Sequence, residues 1–291
     1  MELWLIYAIL ASALAGITSI FSKIGVKNVN SHLATAIRTV VIVIFSWVIV
    51  FITGSHEEIR AVSANTWIFL VLSGLATGGS WLCFFYALKF GTVSNVSPLK
   101  KSSTILTVLL AFFILNEPVG LPQIFGIMFI AAGTFLMLDK KESQKEQGKS
   151  GGNWLLFGLL AAVFASLTTI FGSIGIAEIN ANLGNAIRVV VVLASAIVMV
   201  LLTGNSKGIK KIDKKSWIFL TLSALATGGS WLFFFHALQN GPASAVVPID
   251  KLSILLNILF ARLILGEKQS PKRLIGLTCL VMGTLALILF V

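Results

Sequence analysis

The sequence predicts an all-α polytopic membrane protein. Its ten transmembrane helices would form two inverted five-helix repeats around a central cavity. Three observations carry that prediction. Of the 291 residues, 57% are hydrophobic and only 11% are charged, where soluble proteins carry roughly 25% charged residues. Apolar stretches long enough to span ~30 Å of hydrocarbon recur along the chain. The second half repeats the first at a constant offset of 150 positions, with about 40% of aligned residues identical. This composition excludes a soluble globular protein, a disordered chain and a disulfide scaffold. The net charge of +11 does not signal a nucleic-acid partner, because little of the chain faces water to carry a basic patch.

The first repeat, residues 1–138, reads as five spans. Leu3 to Ser22 starts too early and runs too long for a cleavable leader, and no basic region precedes it. Leu33 to Thr53 stops at Thr53-Gly54, and Trp67 to Leu88 stops before Gly91. Thr92 to Leu115 ends at Glu117-Pro118, and Leu121 to Leu138 completes the copy. Residues 139–153, DKKESQKEQGKSGGN, form a polar linker. The second repeat, residues 154–291, reads as Trp154 to Gly175, Leu183 to Thr203, Trp217 to Leu238, Ala243 to Leu265 and Pro271 to Phe290. No domain outside the membrane is expected.

The match between halves is detailed. Trp4, Arg38, Pro98, Lys101, Ser103 and Glu117 align with Trp154, Arg188, Pro248, Lys251, Ser253 and Glu267. The block ATGGSWL recurs from Ala76 and from Ala226. Five spans per copy is an odd number, so the second copy must insert upside down. Inverted repeats place a substrate site near the membrane midplane, at the repeat interface. Two such halves can exchange conformations, which turns an inward-open cavity into an outward-open one. Lys23, Lys27 and Lys89, the linker lysines, Lys207 to Lys215, and Lys268, Lys272 and Arg273 all fall on one face. The opposite face has little beyond Arg60. The linker is therefore expected in the cytoplasm and both termini outside, in the cell membrane.

An ionisable side chain at the centre of a span costs ~2.5–3.5 kcal/mol on insertion scales. Arg38, Arg188, Lys100, Lys101, Asp250, Lys251 and Arg262 all lie within spans, so they must face one another or a wet interior. Lys101 follows Thr92 by nine residues, a depth of ~14 Å. Lys251 reaches the same depth from the other face. Each follows a proline, Pro98 or Pro248, by three residues. An intramembrane proline loosens the preceding turn and frees carbonyls. This Pro-x-x-Lys pair is the leading substrate-binding candidate; the alternative is a structural ion pair or snorkelling lysines. Asp250 aligns with Lys100 and is expected to pair with Lys101 or Lys100 across the interface, or to carry a proton. Arg38 and Arg188 could guard the two vestibules and bind anionic groups, or brace a neighbouring helix. Trp81 and Trp231 could wall a cavity, with Tyr86 and His236 adding aromatic faces. His236 lacks ligand spacing and reads as a hydrogen-bonding group, so no metal is expected. Cys83 and Cys279 read as packing residues. Glu117 and Glu267 read as caps or loop anchors.

The proline-and-lysine fourth span ends in LNE or LGE, and the fifth span carries Gly126 and Gly133, matched by Gly276 and Gly283. In these features the chain resembles the EamA-type branch of the drug/metabolite transporter superfamily. The segment from Gly241 to Glu267 resembles that repeat most closely, while the first copy departs at Lys100, where aspartate is usual. The resemblance covers nearly the whole chain. It implies a ten-helix bundle whose central cavity is lined mainly by the first, third and fourth helices of each half. The expected activity is secondary transport by alternating access, exporting a small polar or anionic metabolite such as an amino acid or organic anion. The alternative is an amphiphilic drug exporter or a lipid flippase. No catalytic set is present, since paired aspartates, His-Glu-x-x-His and a serine with a nearby base are all missing. No cofactor is expected. The partners would be a small-molecule substrate, the lipid bilayer, and a proton or counter-substrate. A monomer suffices, and a dimer is compatible with the design.

Overall fold

A computed structural model describes residues 2–27, 29–90, 96, 99–100, 102–118, 120–136, 154–204, 209, 212–256, 259 and 270–289, and ten α-helices are delimited among these described residues. In chain order they are α1 (Leu3–Gly25), α2 (Ser31–Ile52), α3 (Ala64–Phe90), α4 (Ser103–Leu115) and α5 (Leu121–Leu136) in the first half. The second half holds α6 (Trp154–Ile176), α7 (Ala181–Thr203), α8 (Lys214–Asn240), α9 (Ala243–Lys251) and α10 (Pro271–Leu289). A 3₁₀ turn, Ser55–Arg60, follows α2. No strand occurs among the described residues.

Six helices (α1, α2, α3, α6, α7 and α8) are long and apolar enough to cross a membrane. Shorter apolar helices make up the described parts of the fourth, fifth and tenth spans. The helix starts are set by side chains that capture free backbone N–H groups. Asn30 accepts from the His32 amide at 2.9 Å, and its repeat mate Asn180 accepts from the Asn182 amide at 2.9 Å. Ser63 and Asp213, also mates, cap α3 and α8 through the amides of Thr66 and Ser216. Gly54 and Gly204 end the second helix of each copy in the left-handed region, at φ 70° and 66°.

Packing follows the duplication. α1 packs on α8 and its mate α6 packs on α3; α2 packs on α7, and α5 on α10. The hydrogen bonds repeat pair for pair. Ser230 donates to the Ala11 carbonyl at 2.8 Å, and Ser80 donates to the Ala161 carbonyl at 2.9 Å. The hydroxyls of Thr18 and Thr227 meet at 3.3 Å, as do those of Thr168 and Thr77. Equivalent helices run antiparallel. A Cβ on Gly126 would lie 2.9 Å from the Gly283 carbonyl oxygen, and one on Gly133 would lie 2.5 Å from that of Gly276. The early part of α5 therefore meets the late part of α10, and only glycine permits so close an approach.

Small residues sit inside the bundle and large apolar ones outside. Ala8, Ala11, Ala161 and Ala162 are fully buried, whereas Ile52 is 75% exposed and Leu202 76%. An aqueous protein would leave few such side chains in contiguous exposed bands. A lipid-facing surface is built this way.

The fourth and ninth spans are broken in the same place. Leu252 donates its amide to the Ile249 carbonyl at 2.9 Å, and Ser102 donates to Leu99 at 3.2 Å. Both are tight i→i+3 turns directly after the paired lysine positions. The interruption thus follows Lys251 and does not precede the proline, as the sequence suggests. Pro248 is buried inside α9, where the bond it forfeits belongs to the first turn of a short helix. Pro98 and Lys101 lie outside the described residues, as do Arg262 and Glu267.

Candidate functional site

A cavity of about 270 Å³ opens between the two halves. α1 contributes Thr18; α2 contributes Thr35, Arg38, Thr39 and Ile42; α3 contributes Trp81, Phe84 and Phe85. Lys100 enters from the segment just before α4, and α8 adds Thr227 and Trp231. The small residues of ATGGSWL explain why Trp81 and Trp231 can approach. Gly79 lies against the Phe164 ring and Gly228 against the Phe45 ring, so α3 and α8 sit deep in the bundle. The two indoles face each other with centroids 6.4 Å apart, and as repeat mates they lie on the pseudo-two-fold axis.

Arg38 sits in the second turn of α2. It donates one guanidinium N–H (Nη2) to the Thr227 hydroxyl at 2.7 Å. Its Nε is buried and has no partner among the described residues. Lys100 places its ammonium 4.7 Å from the centroid of the Phe84 ring, a cation–π contact. No carboxylate lies within ion-pair distance of either cation among the described residues. Among the described residues the two cations lining this cavity therefore have no counter-charge.

On the mirror side of the tryptophan pair the arginine is enclosed. Arg188 is only 3% exposed. Its guanidinium stacks 4.7 Å from the Trp231 centroid and 4.6 Å from that of Phe235. Its Nε donates to the Ser73 hydroxyl at 3.2 Å. Beyond it, His236 hydrogen-bonds the Asn182 side chain at 2.9 Å, and the Gln239 amide donates to the carbonyls of Ile176 and Ile179 at 2.7 and 2.6 Å. Glu117 reaches over from the end of α4 to accept the amides of Ala243 and Ser244, at 2.6 and 2.9 Å, capping α9. Glu58 accepts the Asn180 amide at 2.9 Å. Ile176, Ile179, Leu183, Phe235 and Leu238 pack into one apolar cluster at this end.

Of the residues singled out in the sequence, Arg38, Lys100, Trp81 and Trp231 line this one cavity. Arg188 braces its neighbours instead of lining the cavity, and His236 is a hydrogen-bonding group behind it. Tyr86 packs 4.2 Å from the Phe157 ring and is not a lining residue. Asp250 does not pair across the interface with Lys100: its carboxylate accepts from Lys251, its own neighbour, at 2.9 Å. Adjacent residues of a regular helix splay apart, and the tight turn at Leu252 brings these two together. Sequence reasoning missed the hydroxyl lining of Thr18, Thr35, Thr39 and Thr227. Identity of Thr18 with Thr168, and of Thr77 with Thr227, is the signal that could have found half of it.

The profile of the EamA-like transporter family matches residues 2–139 and again 152–289. An uncharacterized transporter from the cobO 3′ region of Sinorhizobium sp is 43% identical over 134 residues, covering 46% of this chain and 95% of that protein. An uncharacterized protein of Methanocaldococcus jannaschii is 27% identical over 133 residues, covering 46% of this chain and 94% of its own length. Each of these relatives therefore corresponds to about half of this chain. A crystal structure with 16% identity superposes with a TM-score of 0.77, covering 98% of this chain and 96% of the other, which establishes the shared fold. With both halves matched and the apolar helices in place, the chain is a multi-pass membrane protein and belongs to the EamA-like transporter family.

Proposed function

We propose that this protein is a secondary transporter that exports a small polar or anionic metabolite by alternating access, and that the cavity around Arg38 and Lys100 is its substrate site. The observation that carries the proposal is the pairing of an open, cationic cavity on one side of Trp81 and Trp231 with a sealed copy of the same residues on the other. Thr18, late in α1, and Thr35 and Arg38, early in α2, lie toward the end of the bundle that holds Lys23 and Lys27. By the positive-inside rule that end is cytoplasmic, so the conformation is the one that loads cargo for export.

The repeat supplies the return half of the cycle. Trp81 and Phe85 are the mates of Trp231 and Phe235, and both line the cavity beside Arg38. In the alternate state Arg38 takes the seat on Trp81 and Phe85 that Arg188 now holds on Trp231 and Phe235. Arg188 is then released to face the opposite side. Two packings of near-equal energy, related by the two-fold, are what alternating access requires. Lys101 and Lys251 complete the positive interior, and the exchange partner is a proton or a counter-substrate.

The test is counterflow in proteoliposomes with a panel of amino acids, organic anions and organic cations. Saturable exchange of at least one anion is expected, and neutralising Lys101 and Lys251 together should abolish it while leaving folding intact. Exchange confined to cations or lipids would favour the amphiphile exporter or flippase instead. Wild-type rates in the double variant would remove the lysines from the site.

A further inference from the structure

The geometry points to a narrower cargo for the Arg38 cavity: a compact amphiphilic monoanion, an arene or branched apolar group bearing one carboxylate and no ammonium. This inference rests on the transport reading above and deepens it.

Three features of the cavity converge. Its charge is one-signed. Arg38 and Lys100 line it, none of its described lining residues is an acid, and Asp250 is already engaged by Lys251 at 2.9 Å. A carboxylate can accept from the Arg38 guanidinium, which lines the cavity, and from the Lys100 ammonium, and such charge-assisted bonds are the strong ones. The ammonium of an amino acid would find only threonine hydroxyls as acceptors, beside two positive charges in a poorly screened interior. A zwitterion therefore loses at one end what it gains at the other.

The remaining walls are aromatic. Trp81 and Trp231 form the base and Phe84 and Phe85 one side. Aromatic faces of this kind suit an arene or a branched alkyl group, and the hydroxyls of Thr35, Thr39 and Thr227 beside them already donate to helix carbonyls at 2.7–2.8 Å, so a polyhydroxylated cargo gains little from them. Size is the third feature. At about 270 Å³ the cavity falls just below the ~300–1,000 Å³ of pockets that take drug-sized ligands. That favours one ring or one branched chain over a multi-ring compound.

Three probes with the same arene and different charge separate these contributions: 3-phenylpropionate, phenylalanine and phenethylamine. In proteoliposome counterflow with the intact chain, phenylpropionate should exchange at least tenfold faster than phenylalanine, and phenethylamine should not exchange. A smaller ratio, or a preference for phenylalanine, overturns the inference. Failure of all three while another anion of the wider panel exchanges also overturns it and leaves the transport reading standing. Failure of every compound removes both.

A designed reversal checks the charge argument. Lys100→Glu sets an acid beside Arg38 and should shift the preference toward phenylalanine by at least tenfold. Should that variant fail to fold, Lys100→Gln should slow phenylpropionate several-fold without slowing phenylalanine. An equal loss for all probes would mean that Lys100 only holds the structure together, which overturns the assignment.

Discussion

Arg38 and Arg188 occupy the same position of the same repeat, each preceded by Ala-Ile in its helix, yet their surroundings differ in every respect that matters for binding. Arg188 is stacked between Trp231 and Phe235, hydrogen-bonded to Ser73 and shut off from solvent. Arg38 lines a cavity, holds Thr227 through one nitrogen and leaves Nε unpartnered. Trp81 and Phe85 stand nearby in the positions that would clasp it. The difference teaches that this residue type at this position has two stable environments. The molecule displays both at once, one per copy. A group with a spare charged donor in an open cavity can bind; the same group satisfied by aromatic faces and hydroxyls seals.

That contrast can be broken most sharply at Arg38. Arg38→Met should reduce anion counterflow by about 10–100-fold, since hydrogen bonds to charged groups contribute roughly 1.5–3 kcal/mol each. Retention of wild-type exchange would show that the cavity binds without it. Arg188→Met should act on the other state. Two cation–π contacts of about 0.5–2 kcal/mol each hold the closed side, so losing them should raise its opening roughly tenfold or more. The readout is maleimide labelling of Leu183→Cys in a background with Cys83 and Cys279 replaced by alanine. Unchanged labelling would mean that the arginine clasp is not the seal.

The glycine crossing of α5 and α10 should behave symmetrically, in contrast to the arginines. A Cβ on Gly283 would lie 2.6 Å from the Gly126 carbonyl oxygen, and one on Gly133 would lie 2.5 Å from that of Gly276. Backbone cannot yield as a side chain can. Gly283→Ala and Gly133→Ala should each cost about 1–3 kcal/mol by overpacking and lower the detergent Tm by similar amounts. Very different losses would show that the two-fold relation does not hold at this crossing.

The smallest effect concerns the caps of α3 and α8, outside the cavity. Hydrogen bonds from the Ser216 side chain and then its amide hold the Asp213 carboxyl below its ordinary range. A depressed carboxylate contributes stability that is fully present above its unfolded value and lost as pH falls through the folded one. Lowering the pH from 7 to 5 should therefore leave the α8 start unchanged. Below the unperturbed value of 3.8 protection of the Ser216 amide should fall relative to that of Thr66, whose cap Ser63 does not titrate in that range. Hydrogen exchange corrected for intrinsic rates measures it, and parallel loss at both amides would assign the effect to global unfolding.

Much of this molecule is legible in its residues. The apolar runs, the 150-residue offset and the lysine asymmetry specify the helices, the duplication and the expected orientation, because each depends on local composition or on spacing along the chain. The site was legible in part. Arg38, Lys100, Trp81 and Trp231 stand out as polar or bulky groups in apolar spans. The threonines around them do not, since a threonine inside a helix commonly bonds the carbonyl four residues back, as Thr39 does to Thr35 at 2.8 Å. Only their convergence from three helices makes them a lining.

Tertiary structure alone decided which of the two arginines lines a cavity and which is enclosed. Both halves carry Ala-Ile-Arg at this position, so local sequence assigns neither environment to either copy. The choice comes from contacts between distant segments, such as Glu117 on the α9 amides and Gln239 on the carbonyls ending α6. It was also the tight turn at Leu252 that joined Asp250 to Lys251 and left Lys100 without a counter-charge among the described residues. Spacing along a chain reports which residues share a helix face. Which of two symmetric packings forms, and which charge is left over for a ligand, depends on free-energy differences summed over the whole interface.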